Sequence, residues 1–198
     1  MRFALDDKGL LCYGRWTKRK TGCQPGLCDD AEKTTPPRLA WAVHHVLSFF
    51  SGNTTMPFQD IVFLTEDASH DAAIQLINEE AFGPGRFVRS SERVREQGPH
   101  DRHLSFVASD GGEIIASVRM TPISAGAVDG HLLGPLAVRP SHKNLGIGRE
   151  LVRIALAAAE RNGSSAVLLV GDPPYYAPLG FKPTRPGALS MPGPQAAP

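Results

Sequence analysis

Residues 141–152 read SHKNLGIGRELV and follow directly on HLLGPLAVRP at 131–140. An apolar run of strand character, a proline stop and two glycines thus stand immediately before a long amphipathic pattern. The helix expected over Ile147 to Asn162 carries Ile147, Leu151, Ala155 and Ala158 on one face, and Gly163 provides a left-handed stop. A helix start offers unpaired backbone N–H groups and partial positive charge, which together attract anions. Glycines at 146 and 148 remove the β-carbons that would keep a ligand away from the main chain. An anionic group, phosphate above all, is the guest that such a turn is expected to take.

Two nucleotide motifs fail on the letters. A Walker loop needs lysine after its last glycine, where Arg149 stands, and a dinucleotide fingerprint needs a third glycine, where Leu151 stands. The remaining match is [Q/R]-x-x-G-x-[G/A], read as Lys143-Asn144-Leu145-Gly146-Ile147-Gly148 with lysine in the first place. That signature belongs to the GNAT superfamily of N-acetyltransferases. GPLAVRP (134–140) resembles the family's fourth strand with its terminal proline, and YYAPLGF (175–181) resembles the Y-x-x-x-G-F segment after its fifth strand. AFGPGRF, LSFVA, SVRMTPI and LVGDPPYY look like a branch of small bacterial members. The resemblance runs from about residue 60 to about residue 190.

Around the turn, the other elements alternate in type. IVFLT (61–65) reads as a strand, and Ala73, Ile74, Ile77 and Ala81 recur at helical spacing after it. FGPGRF (82–87) breaks that helix, and SSERVREQG predicts a second, shorter one. LSFVAS (104–109), two glycines and EIIASVRMTPIS (113–124) predict a hairpin, while AVLLVG (166–171) is a continuous apolar run suited to a strand covered on both faces. These elements imply an α/β or α+β sheet with helices on both faces. The resemblance adds a mixed central sheet of GNAT type, with splayed fourth and fifth strands.

The resemblance also implies acetyl-CoA as co-substrate. Its pyrophosphate would sit on the amides of Leu145, Gly146, Ile147, Gly148 and Arg149, with Asn144 in the same turn and Lys143 and Arg149 adding positive charge. Its pantetheine arm would pair with the open edge of the fourth strand at Leu136, Ala137 and Val138. The implied reaction is direct attack of an amine on the thioester while both substrates are bound, a strand amide polarising the carbonyl. Tyr176, five residues before Phe181, matches the tyrosine that donates to the departing sulfur. A free phenol (pKa about 10) passing its proton to a thiolate (about 8.5) works uphill by about 2 kcal/mol, so a hydrogen bond to developing charge is the expected role. Tyr175 is expected in packing or in lining the acceptor site.

The general base is less legible. A lysine-like amine (pKa about 10.4) needs about 4 to 5 kcal/mol for deprotonation at pH 7, and an α-amine (about 7.8) only about 1. Many relatives carry a carboxylate on the fourth strand, whereas HLLGPLAV carries none. His131 at that strand's start, and Glu92, His100, Asp101 and His103 in the loop region bordering the acceptor, are the candidates. Gly83, Pro84 and Gly85 force a turn that could present Arg86 and Phe87 to the substrate, and Asp172 stands where it could cap the short tyrosine-bearing helix.

Composition excludes other classes. The chain has 198 residues, 41% hydrophobic and 21% charged, with a net charge of +1, so no long-range field favours nucleic acid. No stretch approaches the ~20 apolar residues of a membrane span, and the first residues do not form a secretion signal, so a cytoplasmic location is expected. Cys12, Cys23 and Cys28 lack zinc-site spacing even with His44 and His45 nearby; free reduced thiols and no metal are expected.

Residues 1–55 read as a poorly structured extension, with a short helix over Leu39–Phe50, and residues 56–198 as the acetyltransferase domain. MPGPQAAP closes the chain before a convincing seventh strand. The sheet is therefore expected to lack an edge or to receive it from a partner, a second copy in a homodimer included. The acceptor is expected to be an amine of a small molecule or peptide. The alternative is an acyl-CoA-binding regulatory module with little turnover.

Overall fold

A computed structural model describes residues 9–13, 61–85, 90–125, 128–185 and 189. Its strands are β1 (Gly9–Tyr13), β2 (Ile61–Thr65), β3 (Phe106–Asp110), β4 (Glu113–Ala125), β5 (Val128–Val138), β6 (Val167–Gly171) and β7 (Lys182–Pro183). Its helices are α1 (Asp71–Phe82), α2 (Ser90–Arg95), α3 (Ile147–Arg161) and α4 (Pro173–Tyr176). The strands form one mixed sheet in the order β2-β3-β4-β5-β6-β1-β7, antiparallel except for the parallel pair β5 and β6.

Alternation along the central strands assigns the two faces. Phe106, Ala108, Ala116, Val118 and Met120 pack with Ile147, Leu151, Val152, Ala155 and Ala159 of α3 in the main core. Their neighbours Val107, Ile114 and Ala137 pack instead with Ile74 and Ile77 of α1. A strand presents successive side chains to opposite faces, so α1 and α3 cover opposite sides of the sheet. The four apolar positions expected on one face of α3 are all buried, and Gly163 (φ 76°) follows the helix end as expected. Gly111 (φ 55°) and Gly112 (φ 90°) turn the β3–β4 hairpin.

One expectation is corrected. Residues 9–13, assigned to a poorly structured extension, form β1, which pairs with β6 from Gly9↔Gly171 to Tyr13↔Val167 and with β7 at Leu11 and Cys12. Alternation explains the fit: Leu11 is 1% exposed in the main core, while Cys12 lies on the other face with Leu132 and Leu168. The end of the sheet expected to lack an edge, or to receive it from a partner, is therefore filled by β1, with the two-residue β7 as the edge beyond it. Only five residues carry this pattern, inside a polar context that hides it. Cys12 is also disulfide-bonded rather than a free thiol, its partner lying outside the described residues. Cys23, Cys28, His44, His45, Arg86, Phe87 and the helix expected over Leu39–Phe50 lie outside them as well.

The junction of β5 and β6 positions everything that follows. The two pair only at His131↔Val167 and Leu132↔Leu168 and then part. These are the strands expected to splay, the family's fourth and fifth. Directly opposite β4, Val118↔Leu136 gives way to Met120↔Leu133, so Gly134 and Pro135 together face Arg119 as a bulge. Just before the junction, a β-carbon on Gly130 would lie 2.3 Å from the Ala166 carbonyl oxygen, which accepts the His131 N–H. Backbone cannot swing aside as a side chain can. Gly130→Ala is expected to destabilise the protein by about 3 kcal/mol, read as a fall in Tm of roughly 6–12 °C.

Candidate functional site

Where β5 and β6 part, a cleft of about 990 Å³ opens between the sheet, α1, α2 and the start of α3. Its lining includes Leu136, Ala137, Val138, Lys143, Asn144, Gly146, Ile147, Gly148, Arg149 and Tyr176. Of the residues assigned from sequence to the co-substrate, Leu145 alone does not line it; its side chain packs against the main core.

The turn ahead of α3 has the conformation that the glycine pattern demands. Gly146 is left-handed (φ 83°), as is Asn144 (φ 66°), and no side chain caps the helix. The first hydrogen bond onto the turn runs from the Glu150 N–H to the Gly146 carbonyl at 3.1 Å. The N–H groups of Ile147, Gly148 and Arg149 thus have no helical acceptor and stand at the positive end of a 15-residue helix. A β-carbon on Gly148 would sit 2.8 Å from the Tyr175 hydroxyl and 3.5 Å from Val138 Cγ2, so the absence of a side chain there keeps the cradle open. Lys143 and Arg149 are exposed beside it, and the Arg149 guanidinium lies 5.6 Å from the Tyr175 ring centre.

Past the β5–β6 pairing, Leu133 to Val138 on one side and Val170 and Gly171 on the other line the cleft without pairing to each other. That open edge, the bare helix start and the buried Asn78 Oδ1, which has no hydrogen-bond partner, are polar groups awaiting a guest. An elongated ligand with amides at one end and phosphates at the other fits this set.

Both tyrosines of α4 line the cleft. The Tyr176 ring packs edge-on against Phe181 (5.7 Å between centres) and against Tyr175 (4.8 Å), and a β-carbon on Gly171 would strike it. Burial pushes its phenol well above the usual range, with Tyr175 and Asp172 adding to the shift, so it remains a hydrogen-bond donor throughout ordinary pH. Burial also raises the Tyr175 phenol, against the opposing pull of Arg149. Asp172 does occupy the N-cap of α4, but its side chain makes no capping bond; its carbonyl accepts the Tyr175 and Tyr176 N–H groups instead.

At the other end of the cleft lies a charge cluster that the sequence hid. Glu66, just beyond β2, has a fully buried side chain that accepts from His100 Nε2 at 2.7 Å, Arg102 Nη1 at 3.0 Å and Arg119 Nη2 at 2.8 Å. Asp71 accepts from the same two arginines at 2.7 Å each, and hydrogen bonding from Arg102 holds its carboxyl below the usual range. His100, Glu92 and Arg119 line the cleft. Glu92 is paired with Arg95 at 2.9 Å, and Arg95 Nε donates to the Gly134 carbonyl of the bulge.

The other candidates for base lie elsewhere. His131 is 8% exposed, its Nδ1 bonded to Ser164 Oγ at 2.9 Å, and burial lowers its pKa; it does not line the cleft. Asp101 accepts the His103 N–H at 2.9 Å and starts the turn over Arg102–Leu104, and neither residue lines the cleft.

Comparison with known proteins agrees with this geometry. The acetyltransferase (GNAT) family pattern matches residues 70–181. The uncharacterized N-acetyltransferase YjhQ of Escherichia coli (strain K12) is 26% identical over 147 residues, 72% of this chain and 81% of that protein. The uncharacterized N-acetyltransferase YhbS of the same strain is 34% identical over 82 residues, 40% of this chain and 49% of its own. Among solved structures, a GNAT family acetyltransferase from Brucella melitensis in complex with acetyl-CoA aligns with a TM-score of 0.53 at 26% identity, over 69% of this chain and 91% of that one. YhbS from Escherichia coli in complex with CoA aligns with a TM-score of 0.54 at 25% identity, over 70% and 73% of the two chains.

The chain belongs to the GNAT family of acetyltransferases. It is an N-acetyltransferase, and acetyl-CoA is its co-substrate. No helix among the described residues is long and apolar enough to cross a membrane.

Proposed function

We propose that the protein transfers the acetyl group of acetyl-CoA to an amine of a small molecule or peptide, by direct attack with both substrates bound in the cleft. The amides of Leu145 to Arg149 take the pyrophosphate, Lys143 and Arg149 add charge, and the open edge at Leu136–Val138 pairs with the pantetheine arm. The observation that carries this reading is the convergence of two unpaired main-chain surfaces, the start of α3 and the free edge of β5, on one cleft. Tyr176 donates a hydrogen bond to the sulfur as charge develops there. Its raised pKa suits a donor that keeps its proton better than one that surrenders it.

The test is release of CoA from acetyl-CoA across a panel of amines, with mass-spectrometric detection of the acetylated product. Tyr176→Phe is expected to lower kcat by roughly 10- to 10,000-fold while leaving the Kd for acetyl-CoA within about twofold. Tight binding of acetyl-CoA with no turnover on any amine would sink the enzymatic reading and leave a CoA-thioester-binding module.

A further inference from the structure

HLLGPLAV (131–138), which lines the open edge, carries no carboxylate, yet an amine that is protonated in solution must shed a proton before it can attack. The cleft offers two candidates to receive it, Glu92 and His100. Glu92 already accepts from the Arg95 guanidinium at 2.9 Å, so a substrate ammonium would have to displace that partner to reach it.

His100 is arranged differently. Its Nε2 lies 2.7 Å from Oε1 of Glu66. Arg102 and Arg119 both donate to the same buried carboxyl, so that carboxyl can only accept from the imidazole. The ring's proton is thereby fixed on Nε2, and Nδ1 is left with a lone pair that no described residue occupies. The loop is pinned as well: the Asp101 N–H donates to the Met120 carbonyl at 2.7 Å, setting His100 beside β4 next to Arg119, which faces the Gly134–Pro135 bulge across the sheet. The bulge adjoins the open edge of β5, where the reading above seats the acyl-bearing arm.

We infer that His100 is the general base of the reaction and that buried Glu66 is the positioning residue that orients it, an assignment that rests on the proposed acetyl transfer. The substrate ammonium gives one proton to His100 Nδ1. The freed amine nitrogen bonds to the acetyl carbonyl carbon and the carbon–sulfur bond breaks. The sulfur takes up the second proton that nitrogen sheds, and the imidazolium returns its proton to solvent. Ammonium and thioester thus become amide, thiol and one released proton. Glu66 stabilises the imidazolium formed in passing, as a buried carboxylate does for a histidine base.

The experiment compares wild type, His100→Gln, Glu66→Gln and Glu92→Gln on two acceptors, a lysine-like ε-amine and an α-amine, with kcat/KM followed across pH and acetyl-CoA affinity measured by calorimetry. Glu66 on the imidazole, Asp71 bonded to the same Arg102 and Arg119, the adjoining Asp101, and Glu92 and Arg95 in the same cleft are all retained in His100→Gln, so a change in the pH profile of that variant reports the imidazole. His100→Gln is expected to lose roughly 100- to 10,000-fold in kcat/KM on the ε-amine and under about tenfold on the less basic α-amine. Its acetyl-CoA Kd stays within about twofold, and its kcat/KM on the ε-amine follows the fraction of free amine, rising about tenfold per pH unit below the amine's own pKa. Glu66→Gln shows the same acceptor dependence at smaller size, and Glu92→Gln stays within about threefold of wild type. Retained turnover and an unchanged pH profile in His100→Gln would overturn the assignment, as would equal losses on both amines or the acceptor dependence moving to Glu92→Gln. If the wild type acetylates neither amine, the proposed function fails, and the assignment with it.

Discussion

A chain that begins at Met56 is expected to lose its cooperative thermal transition. The cut removes β1, and with it Leu11 from the main core, Cys12 from the opposite face and the Tyr13 ring, which lies 5.5 Å from Phe181 and whose hydroxyl donates to Glu160 at 3.0 Å. Burial of one leucine stabilises a fold by about 1.5–3 kcal/mol, and the emptied slot between β6 and β7 adds a cavity term. The cut also strips five residue pairings from β6 and exposes its apolar edge. Set against a total stability of about 5–15 kcal/mol, this loss is large enough to leave a compact chain without fixed packing. Calorimetry and dye binding read the outcome. The milder Leu11→Ala is expected to lose about 2–5 kcal/mol, a fall in Tm of roughly 5–15 °C. A truncated chain that melts like the full one would restore the boundary at residue 56.

The second large effect is local. Gly148→Val is expected to raise the Kd for acetyl-CoA by at least about 100-fold, because the new side chain fills the hollow in which the phosphates would lie and blocks the amides from reaching them. Two hydrogen bonds to a charged group, at about 1.5–3 kcal/mol each, account for that size. The fold should survive: Gly148 has ordinary helical geometry, and its nearest obstacle, the Tyr175 hydroxyl, is the movable end of a side chain. Calorimetric titration with acetyl-CoA, beside a melting curve, separates the two effects. Unchanged affinity would mean that the pyrophosphate lies elsewhere.

Local pattern made most of this architecture readable. The face of α3, the paired glycines between β3 and β4, and the turn at Gly146 each follow from residues close in sequence, whose spacing or φ requirement has one solution. The rest depends on contacts made at long range. Glu66 reads as an ordinary acidic residue after a strand, and only the fold brings it to His100, Arg102 and Arg119. His100 was legible as a polar group near the acceptor region, but not as a ring with one nitrogen fixed. Tyr175, expected in packing or in lining the acceptor site, lines the cleft, and its hydroxyl reaches the turn beside Gly148. The bulge did leave a signal: glycine followed by proline inside an apolar strand marks an interrupted ladder. β1 left too little, because five residues of alternating burial cannot outweigh a long polar surrounding.

The position of β1 has a bearing on synthesis. Leu11 and its neighbour across the sheet, Leu169, are separated by about 160 residues, so β1 leaves the ribosome with no place to dock until β6 has followed. Until then β2 to β5 can associate, but the hydrophobic surface of β6 stays incomplete. Translation order thus sets a late checkpoint, at which a nascent chain waits with β1 tethered and unpaired, a state that invites chaperone contact or strand exchange between neighbouring copies.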